Sequence, residues 1–169
     1  PSNWRCEMEL DGYLKQNRVI GLEGIDTRAL TKVIRNHGTM KGIITVRELT
    51  ESQIEQKLKV THNKNAVLEV TTKEVYKIEG NKKHIAILDF GVRKSIINFF
   101  KERDYQITVF PADTSAKEIL EINPDGILLS NGPGNPYDLP QIIENIKELI
   151  CQKPILGINL GYLLLTLSL

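Results

Sequence analysis

At 169 residues, with 41% hydrophobic and 25% charged side chains, the chain has the composition of an ordinary soluble globular protein, with one sizeable core or two small ones, and not that of a disordered one. A formal net charge of +1, spread over interspersed Lys, Arg, Asp and Glu, argues against nucleic acid or an anionic membrane as the main partner. The two cysteines, Cys6 and Cys151, lie far apart without a CxxC or His-rich companion, so neither a disulfide framework nor a zinc site is implied and a reducing cytoplasm is the default.

Residues 1–46 read as two helix-and-strand units. The first has Met8, Leu10, Tyr13 and Leu14 at helical spacing before the Val19-Ile20 run. In the second, Asp26 caps a helix whose apolar face is Ala29, Leu30, Val33 and Ile34, Gly38 stops it, and residues 42–46 are expected as a strand. Thr50 and Gln53 have capping-box spacing and open a helix to about residue 58. Residues 61–83 are polar, with a possible short strand at 66–70, and are expected to link a first domain at 1–60 to a second at 84–169.

From residue 84 strands and helices alternate, which predicts a doubly wound, mainly parallel α/β sheet. The strands are expected at 84–88, 106–110, 126–129 and 154–158, and the helices near 93–102, 115–122 and 139–150, with Thr114 and Asp138 capping the second and third. Cys151, at a helix end before a buried strand, is expected to pack. Working loops in such sheets lie at the carboxyl ends of strands, here 89–91, 111–113, 130–136 and the turn after residue 158.

That last turn is Gly157-Ile158-Asn159-Leu160-Gly161, between a short apolar strand and an apolar helix at 160–169 that is too short to span a bilayer. Glycines two residues either side of a central polar residue are what a nucleophile elbow requires, because the central residue is forced into a strained turn that flanking Cβ atoms would obstruct. Asn159 tolerates a positive φ but has no ionisable nucleophile, so the geometry is kept and the chemistry is missing. The same pentapeptide also serves as a plain strand-to-helix connection. In Ser130-Asn131-Gly132-Pro133-Gly134-Asn135-Pro136, two glycines leave backbone amides open beside this turn, so that Gly132 with Leu160 can bind an oxyanion, or the loop is a simple Pro/Gly turn.

Other site patterns are incomplete. Asp89-Phe90-Gly91 lacks the companions of a kinase metal site, the third strand ends in Ser130-Asn131 rather than a phospho-accepting aspartate, and the first strand is not followed by Gly-x-Gly-x-x-Gly. None of His37, His62 and His84 is an obvious base or ligand, and no metal site is expected.

Together, Ser2-Asn3-Trp4-Arg5, Gly24-Ile25-Asp26-Thr27-Arg28-Ala29-Leu30-Thr31, Leu88-Asp89-Phe90-Gly91, the run from Asn123-Pro124-Asp125-Gly126 to Gly134-Asn135-Pro136, and Pro154-Ile155-Leu156-Gly157-Ile158 resemble the small subunit of glutamine-dependent carbamoyl phosphate synthetase, a class I triad-type glutamine amidotransferase. The resemblance covers essentially the whole chain. It implies half of an amidotransferase domain preceded by part of a smaller α/β N-terminal domain, with glutamine as substrate and ammonia passed to a large subunit that makes carbamoyl phosphate for pyrimidines and arginine. It implies no cofactor in this chain, since ATP and Mg belong to the large subunit. Carried over by motif, Gly132, Gly134 and Leu160 match substrate-binding positions, and Gly132 with Leu160 the oxyanion hole.

Three positions depart from the family's Gly-Ile-Cys-Leu-Gly-His-Gln: Asn159 stands for the nucleophilic cysteine, Tyr162 for the histidine and Leu163 for the substrate-holding glutamine. The missing initiator Met and the stop after the elbow helix give the expectation of a central fragment, without the family's catalytic His and Glu. The chain as given is therefore expected to be inactive as a glutaminase. The alternatives are a non-catalytic docking or regulatory subunit of an ammonia-using synthetase, and a stand-alone flavodoxin-like binding module.

Overall fold

The computed structural model describes residues 6–38, 40–59 and 64–169. The chain divides into two compact units, Pro1–Thr61 and His62–Leu169. The Ser2-Asn3-Trp4-Arg5 run and His62 lie outside the described residues.

Three helices are described in the first unit: α1 (Leu10–Gln16), α2 (Thr27–His37) and α3 (Glu51–Leu58). The Asp26 carboxylate accepts from the Ala29 amide at 2.9 Å, satisfying one of the donors that every helix start leaves open. Gly38 ends α2 at φ 80, where a Cβ would be strained. At α3 the Thr50 hydroxyl accepts from the Gln53 amide and the Gln53 side chain accepts from the Thr50 amide, closing the expected capping box.

The strands expected at Val19-Ile20 and 42–46 are absent: these residues are irregular, and Val19, Ile20, Ile44 and Val46 are exposed. A strand exists only when a neighbour takes its backbone groups, and no sheet partner is described in this unit. None of the three helices buries a residue, so their apolar faces are formed but not covered among the described residues.

The second unit runs α4 (Ala66–Val70), β1 (Tyr76–Ile78), β2 (His84–Asp89), α5 (Lys94–Lys101), β3 (Gln106–Pro111), α6 (Ala116–Glu121), β4 (Gly126–Leu129), a 3-10 turn (Pro136–Asp138), α7 (Pro140–Leu149), β5 (Ile155–Gly157) and α8 (Leu160–Ser168). It is an α/β unit with a mainly parallel sheet, ordered β1-β3-β2-β4-β5. Only β1, from a stretch read as linker, runs antiparallel. Residues 66–70, a possible strand by sequence, are instead helix α4, because Val67 is buried in the core as the inward residue of a helical turn. The cap of α6 is Ser115 rather than Thr114, and Asp138 closes the 3-10 turn before α7 instead of capping it.

β2, β3 and β4 are buried on both faces, which is why they read as continuous apolar runs, whereas β5, expected to be buried as well, is an edge strand that leaves Leu156 exposed. Ala86, Leu88, Ile127 and Leu129 pack with α6, α7 and α8 on one side, while Ile87, Ile107, Val109 and Leu128 meet Ile96, Ile97 and Phe100 of α5 on the other. Counting the parallel strands from β2, their order across the sheet is 2-1-3-4, the flavodoxin-like arrangement in which the order reverses between β2 and β4. The register sets Leu88 beside both Phe110 and Leu129, and Leu129 beside Gly157. The carboxyl ends of β2, β4 and β5 therefore stand level, with their loops facing one crevice.

Candidate functional site

At the end of β5 the chain turns into α8 through Asn159, whose backbone sits at φ 52 and ψ −110. This lies outside the basins that side-chain-bearing residues favour and costs about 1–3 kcal/mol, held by what surrounds it. The surroundings are tight. A Cβ on Gly157 would come to 2.6 Å from the Tyr162 amide nitrogen, and one on Gly161 would collide with the Leu129 carbonyl oxygen. The turn is pinned to β4 by hydrogen bonds from the Ile158 amide to Leu129 O at 2.9 Å and from the Gly161 amide to Ser130 O at 3.1 Å. Asn159 is exposed at the apex, with Tyr162 and Leu163 exposed on the first turn of α8. The Leu163 amide is taken by Asn159 O, whereas the Leu160 amide belongs to the first turn, whose donors have no partner within the helix.

Gly132 meets this turn directly. A Cβ there would come to 2.9 Å from Leu160 Cδ2 and would collide with the Phe90 carbonyl oxygen, so the loop approaches both elements only because residue 132 has no side chain. Gly134 follows at φ 91. Ser130, fully buried, accepts the Phe90 amide on its hydroxyl at 2.9 Å and donates to Asn131 O. Asn131 donates from Nδ2 to Gly91 O at 2.8 Å and accepts the Arg93 amide at 3.4 Å.

The structure thus brings Asn159, Leu160 and Gly132 together, with Gly134 in the same loop and Leu163 one turn along α8. With Gly132 resting against Leu160 Cδ2 at the start of α8, the candidate oxyanion recess is the place between this loop and the first-turn amides of α8, which suit a partial negative charge on oxygen. Asn159 supplies a carboxamide where attack on a carbonyl would need a thiol or hydroxyl.

Sequence reasoning passed over Asp89, Ser130 and Asn131 as site supports, although short polar side chains at strand ends commonly bond nearby backbone amides. Asp89 is 6% exposed and accepts three amides: Gly91 and Val92 on Oδ1, at 2.8 and 2.7 Å, and Thr72 on Oδ2 at 2.8 Å. Burial, followed by the nearby Asp89 carboxylate, raises the Tyr76 phenol above its ordinary pKa. His84 bonds Thr108 Oγ1 at 2.8 Å at the opposite end of β2 and is lowered from its ordinary pKa by burial and then by Lys77. Cys151, expected to pack, is exposed and carries φ 65 at the bend before β5. Among the described residues no group of three or more His, Cys, Asp or Glu could hold a metal, and no helix is long and apolar enough to cross a membrane.

The glutamine amidotransferase class-I family matches residues 86–169, and the carbamoyl-phosphate synthase small chain, CPSase domain, matches residues 1–44. The carbamoyl phosphate synthase small chain of Clostridium perfringens is 52% identical over 169 residues, covering 100% of this chain and 48% of the relative. That of Clostridium acetobutylicum is 46% identical, covering 99% and 48%, and that of Streptococcus mutans 44% identical, covering 99% and 46%. The chain spans about half the length of the curated relatives it matches.

Proposed function

We propose, from the premise that this chain belongs to the carbamoyl phosphate synthase small-chain family, that it is the elbow-bearing part of a glutamine amidotransferase subunit that supplies ammonia to a large synthetase subunit, and that with Asn159 at the elbow it does not itself hydrolyse glutamine. The observation that carries this reading is Asn159 at φ 52 and ψ −110 between two glycines that neighbouring backbone would not let carry a Cβ, with Gly132 against Leu160. A turn so strained and so closely fitted suits the placing of a reactive atom beside an oxyanion recess.

In such a site the nucleophile attacks the side-chain amide of glutamine, the carbonyl oxygen takes up negative charge against the amides of Gly132 and Leu160, and ammonia leaves. The strained turn and the pair of Gly132 and Leu160 support the placing of the carbonyl, but no residue here supports attack. Removing the nucleophile from a hydrolase unit of this kind costs on the order of a millionfold in turnover. Leu163, in the substrate-holding position, also has no polar atom to offer glutamine.

The setting that fits is a biosynthetic ligase of the cytoplasm feeding pyrimidine and arginine synthesis, with the large subunit holding ATP and Mg. Incubated with glutamine, the purified chain is expected to release no glutamate above blank, and turnover at the level of an intact amidotransferase would overturn the reading. Joint replacement of Asn159, Tyr162 and Leu163 favours a second reading, a non-catalytic docking subunit of an ammonia-using synthetase. Asn159→Cys in a chain of the relatives' full length separates the two: regained glutaminase supports the first, and none, with the large subunit still co-purifying, supports the second.

A further inference from the structure

Residues 66–72, which belong to no catalytic motif, lie directly against the loops that build the recess. A Cβ on Gly91 would sit 3.2 Å from Val70 Cγ2 and 3.3 Å from Pro133 Cδ, and one on Gly134 would sit 3.6 Å from the Ala66 Cβ. Val67 is 1% exposed, in the same core cluster as Phe90 and Leu160. The segment is then tied down by polar contacts at its end. The Thr71 hydroxyl donates to Asp89 O at 2.6 Å and accepts from the Ala112 amide at 2.9 Å, so one side chain joins the carboxyl ends of β2 and β3. The Thr72 amide adds its bond to Asp89 Oδ2, while Asp89 Oδ1 holds the amides of Gly91 and Val92.

From there the contacts run without a gap to the recess. Asp89 fixes Gly91, whose carbonyl receives Asn131 Nδ2, and Asn131 precedes Gly132, which rests on Phe90 and Leu160. A buried carboxylate with three amide donors has no cheap alternative arrangement, because loss of any one leaves a desolvated polar group. The strap and the 132–134 loop therefore share one discrete conformation rather than sliding past each other.

We propose that residues 66–72 form a positioning strap for the recess, with Thr71 and Asp89 as positioning residues that set Gly132 against Leu160. Their effect passes through the Phe90-Gly91 backbone, so displacing the strap displaces the oxyanion donor. The inference rests on the reading of Gly132 and Leu160 as the anion-binding pair, and the experiment tests the two separately.

Amide spectra of the 15N-labelled 169-residue chain are compared for Thr71→Val, Thr71→Ser, Asp89→Asn and a control in the separate core cluster of Ile87, Ile107, Val109 and Leu128, Ile107→Val. Thr71→Val and Asp89→Asn are expected to shift the Gly132 and Leu160 cross-peaks and to speed hydrogen exchange at Gly91 and Val92. Thr71→Ser, which keeps the hydroxyl, is expected to restore the original positions. Cross-peaks of Gly132 and Leu160 that move no further in Thr71→Val than in Ile107→Val would overturn the strap, as would a Thr71→Ser spectrum equal to that of Thr71→Val. If Asp89→Asn does not fold, the Thr71 pair decides alone.

In a second arm, the thiol introduced by Asn159→Cys is alkylated with iodoacetamide across pH and followed by peptide mass spectrometry. Its profile is expected below the ordinary thiol value of about 8.5, and adding Thr71→Val is expected to move it upward. An ordinary profile for Asn159→Cys alone overturns the anion-binding reading, and the cross-peaks still decide the strap.

Discussion

A backbone at φ 52 and ψ −110 is not one that an asparagine adopts from its own preference, so Asn159 is held there by Gly157, Gly161 and the two hydrogen bonds to the end of β4. Gly161 is the position that tests this. Its missing Cβ lets the first turn of α8 lie on the Leu129 carbonyl, and Gly161→Ala would force either the helix or the end of β4 to shift. Overpacking of this kind costs roughly 1–3 kcal/mol. Urea unfolding of Gly161→Ala is expected to show a loss in that range with an unchanged denaturant slope, whereas wild-type stability would show that the close packing against β4 is absent. The carboxamide was legible in the sequence as a residue without nucleophilic chemistry, because that depends on side-chain type alone. The roles of Asp89 and Asn131 were not, since each acts by accepting or donating to backbone that another element brings into reach.

Local signals decided the elements where a short-range interaction closes them. The capping boxes at Thr50 and Ser115 and the Asp26 cap form within three residues, so spacing was enough to find helices there, although at α6 the cap is one residue later than expected. Ser115→Ala removes the hydroxyl that accepts the Glu118 amide and donates to the Glu118 carboxylate, leaving only the backbone half of the α6 box, and is expected to cost about 1 kcal/mol. Thr114→Ala, the cap expected from sequence, is expected to cost clearly less. Equal losses from the two variants in thermal unfolding would return the cap to Thr114. Strands behaved differently. The apolar runs at 42–46 and at 84–89 look alike in composition, but only the second finds neighbours on both sides. Helix α4 was misread for the same reason, because its single turn is fixed by burial of Val67 and not by any periodicity over 66–70.

At the scale of the molecule, formed elements outnumber covered ones among the described residues. Leu30, Val33 and Ile34 make the apolar face of α2 and are each more than 40% exposed, and in the second unit Leu156 on β5, with Tyr162 and Leu163 on α8, is exposed as well. Apolar surface of this extent favours association, at about 25 cal/mol per Å² removed from water. Sedimentation of the purified chain is expected to show species heavier than the 19.1 kDa monomer, growing with concentration. A single monomeric boundary at high concentration would show that these faces are covered in solution.

The sequence by itself determined the parallel strands, the capped helices, the glycine-flanked turn and the absence of a nucleophile within it. All of these follow from side-chain chemistry, or from spacing over a few residues. Only the tertiary structure decided that 66–70 is a helix, that Tyr76–Ile78 adds an antiparallel strand, that 42–46 is not one, and that Thr71 and Asp89 bond across the carboxyl ends of β2 and β3. The physical reason is common to them: each depends on partners 17 or more residues away, or on the lack of any, and the energy of a buried polar group or an unpaired strand is set by those partners rather than by its own neighbours in sequence.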